Sequence, residues 1–432
     1  MRKEADLDTA GPLFLSYRQS DGTPIVTSLA WRLRAAGIPV WRDKDDLPPG
    51  DTADRLEDAI ADGLSGAVFI ITPDIAHSDV VRGIEAPELI RVHQGDSRFQ
   101  LLVANDVSTP GTASVDYSAP DRLLGRPRKE LQGVNQSAAS SDGLDELVKG
   151  ALWHRMAEHR QLVADAGAVL SLTIQTRNIG QVYDRTGAQL DIRVRPSQHE
   201  RLPDPQALDD LRRTLGLLPD AVTRTGAQTV RIAGGAHLSV AFALGAALPS
   251  SRVGHLEVID QREDRWESTT EAVVPSTRNL RIDTTDRDHV ATSGDRPRVA
   301  VYVDLLPTRS DSAWDRYLEE NQAAIVESAT IRPIAQGLLD PAAAGTIAAE
   351  AAALIRQLSA EHANAPVDLL LRVPFPIAVL LGRLSNTLRI RSYEWDDSTQ
   401  GDHDHQPRYV PCLDIHATAP GGAITDILLP RS

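Results

Sequence analysis

The strongest constraint on this chain is the alternation of short apolar runs with amphipathic stretches, which continues along most of its 432 residues. Pro12-Leu-Phe-Leu-Ser-Tyr-Arg18 reads as a strand, residues 19–23 as a polar break, and residues 25–36 as an amphipathic helix. Ile38-Pro-Val-Trp-Arg42 resumes as a strand, residues 53–64 carry a second helical pattern, and Ala67-Val-Phe-Ile-Ile-Thr72 is a strand of the fully buried type. A further strand, Phe99-Gln-Leu-Leu-Val-Ala-Asn105, leads into an irregular loop over residues 108–120. A helical stretch over residues 144–164 then closes the first half. Such alternation predicts an α/β protein whose parallel sheet is flanked by helices. The length predicts more than one domain, with a boundary near residues 165–168, so that 1–165 and 166–432 form separate parts.

The second half has its own apolar runs at residues 169–174, 230–232, 299–305 and 367–371, and it repeats itself. Setting Val230 against Val367, 137 positions on, also aligns Ala241 with Ala378, Leu244 with Leu381 and Gly245 with Gly382. Glu257 then falls on Glu394, and Asp260 on Asp397. Each unit reads as strand, turn, small-residue helix ending near a glycine, and strand. A duplication of this kind predicts two fused Rossmann-like units with a cleft where their strand ends meet.

Composition narrows the partners. Hydrophobic residues at 41% and charged residues at 24% suit a globular chain with real cores. A formal net charge of -15, from 45 Lys and Arg against 60 Asp and Glu, opposes binding of long nucleic acid but leaves room for a small anion in a locally basic pocket. Cys412 is the only cysteine, so neither an internal disulfide nor a cysteine-rich zinc site is available. Met1 to Ala10 lacks the apolar run of a secretion signal, and no apolar stretch reaches membrane-spanning length, so the expected location is cytoplasmic. His403, Asp404 and His405 form a short tract in polar, turn-rich surroundings and are read as an exposed loop; no metal site is expected.

Phe14-Leu-Ser-Tyr-Arg18, Ser20-Asp21 and Trp41-Arg-Asp-Lys-Asp-Asp-Leu-Pro-Pro-Gly-Asp51 resemble the first two signature boxes of the TIR family. The resemblance covers about residues 11–164. It implies a flavodoxin-like parallel sheet and, in the enzymatic members, cleavage of the nicotinamide-ribose bond of NAD+ by a Glu on the helix after the third strand. Here that place lies in Ser78-Asp-Val-Val-Arg-Gly-Ile-Glu-Ala-Pro-Glu-Leu89, where Glu85 is the first choice and Glu88 the second. Val81 stands where many members have a Trp four residues before the Glu. A single carboxylate is chemically sufficient, because positive charge develops on the ribose while nicotinamide already leaves as a neutral molecule from a cationic substrate. Pro87 is expected in a first helical turn, placing the acid at the favourable end of the helix dipole. Tyr17, Arg18, Ser20, Asp21, Trp41 and Asp45 are candidate pocket residues at the carboxyl edge of the sheet; for Tyr17 and Trp41, packing at a strand end is the competing role.

Arg231-Ile-Ala-Gly-Gly-Ala-His-Leu-Ser-Val-Ala-Phe-Ala-Leu-Gly245 and Leu371-Arg-Val-Pro-Phe-Pro-Ile-Ala-Val-Leu-Leu-Gly-Arg383 resemble the SAVED family, which is similar to two fused CARF sensor domains. The resemblance implies recognition of a cyclic oligonucleotide made by a partner synthase in CBASS anti-phage defence. Gly234 and Gly235 would let phosphate approach the backbone, beside a helix N-terminus. Arg372, Arg383 and Arg389 are candidates for phosphate neutralisation, Tyr393 and Trp395 for stacking on a base, and His237 for either. The reading is a NAD+ hydrolase without a cofactor, activated by cyclic triadenylate and assembling into a homo-oligomer or filament through the loop at residues 43–51. The alternatives are a non-enzymatic TIR scaffold assembled by the same ligand, and a hydrolase acting on the ligand itself.

Overall fold

In the computed structural model, which describes residues 7–42, 52–177, 187–199, 201–269, 272–286, 297–398 and 406–430, the apolar runs of the first half are strands buried on both faces. The chain divides into two compact units, Met1–Gly167 with Gln181–Arg193 and Arg224–Gly226, and Ala168–Gly180 with Val194–Thr223 and Ala227–Ser432.

The first unit runs β1 (Leu13–Ser16), α1 (Gln19–Ala35), β2 (Val40–Arg42), α2 (Thr52–Ala61), β3 (Gly66–Ile71), α3 (Ala86–Gly95), β4 (Gln100–Asn105), α4 (Ala119–Leu123), β5 (Asn135–Ala138), α5 (Ser141–Glu158) and α6 (Arg160–Asp165). All five strands pair in parallel in the order β2-β1-β3-β4-β5. That is the doubly wound, flavodoxin-like order, whose ligands sit at the carboxyl ends of the strands. Phe14, Phe69, Ile71 and Val103 on one sheet face pack with Val81, Ala86, Leu89 and Ile90 beside and within α3.

Three local expectations change. Residues 19–23 are the first turn of α1 rather than a loop, so Ser20 and Asp21 sit on a helix. The stretch at 144–164 is broken at His159 into α5 and α6, where the buried ring Nε2 meets the Thr9 carbonyl at 2.9 Å. Strand β5, polar and half-exposed, carries no apolar pattern by which it would be read from sequence.

The later elements are β6 (Val169–Gln175), β7 (Leu190–Arg193), α7 (Pro205–Leu215), α8 (Leu218–Thr225), β8 (Thr229–Gly235), α9 (Leu238–Ala247), β9 (His255–Ile259), β10 (Arg265–Ser268), β11 (Leu280–Asp286), β12 (Arg298–Asp304), α10 (Ser312–Asn321), β13 (Ile325–Pro333), α11 (Ala344–Glu361), β14 (Val367–Arg372), α12 (Phe375–Arg383), β15 (Ile390–Asp396), β16 (Arg408–Ile415) and β17 (Ile424–Ile427). Strand β7 lies with the first unit, where the Asp191 N–H donates to the Gly37 carbonyl at 2.9 Å.

Within the second unit one sheet runs β10-β9-β8-β6, and the other runs β11-β13-β12-β14-β15-β16-β17. The segments β10-β9-β8-β6 and β16-β15-β14-β12 have the same order and the same strand directions, parallel throughout except for the outermost pair. The sequence repeat is therefore a structural repeat of two Rossmann-like units. Its pivot is the pair of helices that carry the matched glycines. A Cβ on Gly245 would overlap the Val379 carbonyl oxygen, and a Cβ on Gly382 would overlap the Phe242 carbonyl oxygen. Each glycine meets the repeat counterpart of the other's partner, so α9 and α12 cross backbone to backbone about a local pseudo-twofold axis. Residues 239–247 of α9 are buried throughout, as a helix apolar on every side must be.

Candidate functional site

At the carboxyl edge of the first sheet, polar side chains tie the turn after β1 to the turn after β3. The Arg18 guanidinium donates to the Asp74 carbonyl at 2.8 Å. The Asp21 carboxylate accepts from the Thr72 hydroxyl at 2.7 Å and from the Asp74 N–H at 3.0 Å, and Ser20 Oγ lies 3.1 Å from Asp74 Oδ2. Tyr17 and Trp41 are buried strand-end residues. Asp106, the first residue past β4, has its carboxyl pushed up by burial and by the nearby charge of Asp21. Asp45 and the loop at residues 43–51 lie outside the described residues.

The two candidate acids occupy unlike environments. Glu85 is 6% exposed, and its Oε2 accepts a 2.6 Å hydrogen bond from Ser16 Oγ, itself 1% exposed at the end of β1. Glu88 is partly exposed and forms an ion pair with Arg91 one turn on, whose Nε lies 3.0 Å from Glu88 Oε2. The backbone around Glu85 also differs from expectation. Val81–Glu85 is a π-turn that continues directly into α3, with the Ala86 N–H bonded to the Val81 carbonyl. Pro87 therefore lies inside a continuous helical run. It has no N–H for the Gly83 carbonyl, which accounts for the wide turn just before it. Glu85 is thus not in a first turn, and the helix-dipole argument for it does not apply.

In the second unit the expected binding residues separate. Gly234 has a φ of +109°, and a Cβ there would overlap the Ile174 carbonyl oxygen, so strand pairing between β6 and β8 demands this glycine. His237, which precedes α9, has its ring Nδ1 2.8 Å from Thr176 Oγ1, and its backbone N–H donates to that same oxygen at 2.8 Å. Burial lowers the imidazole to about 4, so His237 is neutral at neutral pH and offers no charge to a phosphate. The N-terminus of α9 is already taken: Glu394, buried on β15, accepts the Ser239 N–H at 2.6 Å. Desolvation raises that carboxyl to about 7.

Arg372 ends β14 and donates to Asp304 Oδ1 at 2.7 Å and to the Thr308 carbonyl. Asp304 also holds Arg332, which in turn pairs with Asp311. Arg383 is wholly buried, donating to the Val253 carbonyl at 2.6 Å and the Gly254 carbonyl at 2.9 Å, and burial lowers its guanidinium to about 10. It fastens the turn after α9 and does not face solvent. Tyr393 is buried edge-on against Tyr317 at 5.1 Å, with its hydroxyl on Asp368. Trp395 is half-buried edge-on against Tyr409 at 5.4 Å. Arg389 is exposed at the start of β15, the end of the sheet opposite Arg372. It lines a groove of about 570 Å3 with Arg298, Arg391 and His416.

Sequence reasoning missed Ser16, Asp304 and the helix-capping part of Glu394, because each acts through a partner far away in the chain. It also missed His255, Glu257 and Glu267, whose ligand-type atoms lie within 4.8 Å of one another on β9 and β10. Glu257 there is bonded by Arg231 at 2.8 Å, so the carboxylate already has a cationic partner. Residues 403–405 lie outside the described residues.

A TIR domain family model matches residues 13–122, and a model described as "SMODS-associated and fused to various effectors sensor domain", SAVED, matches residues 210–415. No curated protein matches the chain. Among solved structures, the Cap4 SAVED/CARF-domain containing receptor of Acinetobacter baumannii with the cyclic trinucleotide 2'3'3'-cAAA is 12% identical, covering 82% of this chain and 80% of its own, with a TM-score of 0.44. The Cap4 receptor of Moraxella osloensis is 10% identical over 90% of this chain and 97% of its own, with a TM-score of 0.40. The chain is a fusion of a TIR domain with a SAVED sensor domain.

Proposed function

We propose that the protein is an anti-phage effector in which a cyclic oligonucleotide, bound by the SAVED unit, switches on NAD+ hydrolysis by the TIR domain. The observation that carries the catalytic half is the buried Glu85 carboxylate, held by Ser16 at the carboxyl edge of a flavodoxin-like sheet. In the reaction the bond from ribose to the nicotinamide nitrogen breaks, and its electron pair neutralises the leaving pyridinium. Water adds to the ribose carbon, giving ADP-ribose and releasing a proton. The Glu85 anion stabilises the positive charge that builds on the sugar between those events. Glu88, already paired with Arg91, is the poorer candidate.

The sensing half rests on the SAVED match and on the pair of fused Rossmann-like units, whose ligands bind at the carboxyl ends of the strands. Cyclic triadenylate is the proposed activator, and assembly of protomers the proposed consequence of binding. The test incubates the full chain with NAD+ and a panel of cyclic di-, tri- and tetranucleotides, following nicotinamide release and particle size together. We expect release only with the cognate ring, and a fall of at least about 100-fold in Glu85→Gln. Full activity in both Glu85→Gln and Glu88→Gln refutes the catalytic assignment. Ligand-dependent assembly without nicotinamide release favours a scaffold instead.

A further inference from the structure

Glu85 is not held in place by its own helix alone. Ser16 is the last residue of β1, in register with Phe69 of β3, and lies two positions from Phe14 on the same face of the strand. Phe14 packs in the cluster that includes Val81, Ala86 and Leu89, so the Ser16 hydroxyl is directed into an apolar layer beneath the π-turn. A lone hydroxyl or carboxylate there would lose its hydration without compensation. The 2.6 Å bond from Ser16 Oγ to Glu85 Oε2 satisfies both, and it spans 69 positions of chain. It joins the sheet to the π-turn that leads into α3.

We propose that Ser16 is a positioning residue for NAD+ cleavage: its buried hydroxyl holds one oxygen of the Glu85 carboxylate, fixing the rotamer and the ionised form in which Glu85 faces the ribose. This rests on the reading of Glu85 as the catalytic acid. A hydroxyl that donates to a carboxylate favours the charged form, and a fixed anion stabilises developing positive charge without reorganising. Removing the donor therefore acts on the chemical step rather than on capture of NAD+.

The test uses the full chain with cyclic triadenylate as activator, measuring kcat, KM, the pH profile of kcat and the melting temperature for wild type, Ser16→Ala, Ser16→Cys and Glu85→Gln. We expect Ser16→Ala to lose about tenfold or more in kcat with KM little changed, and its acid limb to move to higher pH. Ser16→Cys, with a weak donor of similar shape, should fall between wild type and alanine, and it stands in if Ser16→Ala does not fold. An unchanged kcat and pH profile overturns the proposal, as does a loss of kcat with the acid limb unmoved, which marks a purely structural bond. A wild type that releases no nicotinamide with any ring of the cyclic di-, tri- and tetranucleotide panel, or a fully active Glu85→Gln, overturns the catalytic reading and the Ser16 proposal together.

Discussion

At Glu394 the carboxylate caps the N-terminus of α9 from a strand 155 positions away, and burial raises it to about 7. A carboxyl whose folded value lies above its unfolded one, near 4.3, binds its proton more tightly in the folded chain. That contribution to stability is fully present below about pH 4 and is lost as pH rises through 7. We expect Glu394→Gln, which keeps an acceptor for the Ser239 N–H, to gain in melting temperature relative to wild type between pH 5 and pH 8. The limit is about 4 kcal/mol from the size of the shift. A constant difference across that range would mean that the carboxyl is already ionised in the fold. The same residue shows what was illegible in sequence. The repeat marks Glu394 as the counterpart of Glu257, but not that one holds a helix end and the other Arg231. Arg383 likewise reads as a free cation in the sequence, while the fold turns it into a buried clamp on three carbonyls.

Among elements, the repeat was legible through its matched glycines, but the crossing of α9 and α12 at those glycines was not, because which backbone each one meets is decided by packing. Substituting Gly382 with Ala forces the Phe242 carbonyl away and should cost about 3 kcal/mol or more, read as a drop in melting temperature. Gly235→Ala is the control. Its Cβ would meet nothing nearer than Gln175 Oε1 at 3.9 Å, and we expect less than about 1 kcal/mol there. Equal losses at the two sites would contradict the close crossing. The π-turn at Val81–Glu85 was not legible, although Pro87 announces a disturbance. Whether a proline starts a helix or widens one depends on whether the chain upstream already has a partner to pack on, here Val81 in the sheet-facing core.

For the molecule as a whole, the net charge of -15 and the absence of a membrane-spanning helix among the described residues bear on partners, while assembly bears on activity. If activation requires protomers to associate, nicotinamide released per protomer at saturating cyclic triadenylate should rise with protein concentration before reaching a plateau. A flat dependence across a hundredfold dilution would indicate a protomer that is complete by itself.

The sequence alone determined the alternation of strands and helices in the first half as far as β4, the position of the repeat in the second half and its matched glycines. Those follow from side-chain periodicity and backbone sterics, which act over a few residues. Only the tertiary structure decided that Glu85 rather than Glu88 is buried, that Ser16 holds it, that Glu394 fills the helix end expected to hold an anion, and that Arg372 leans on Asp304. Burial and hydrogen-bond partnership are properties of chain segments brought together from 68 to 155 positions apart, and no local pattern encodes them.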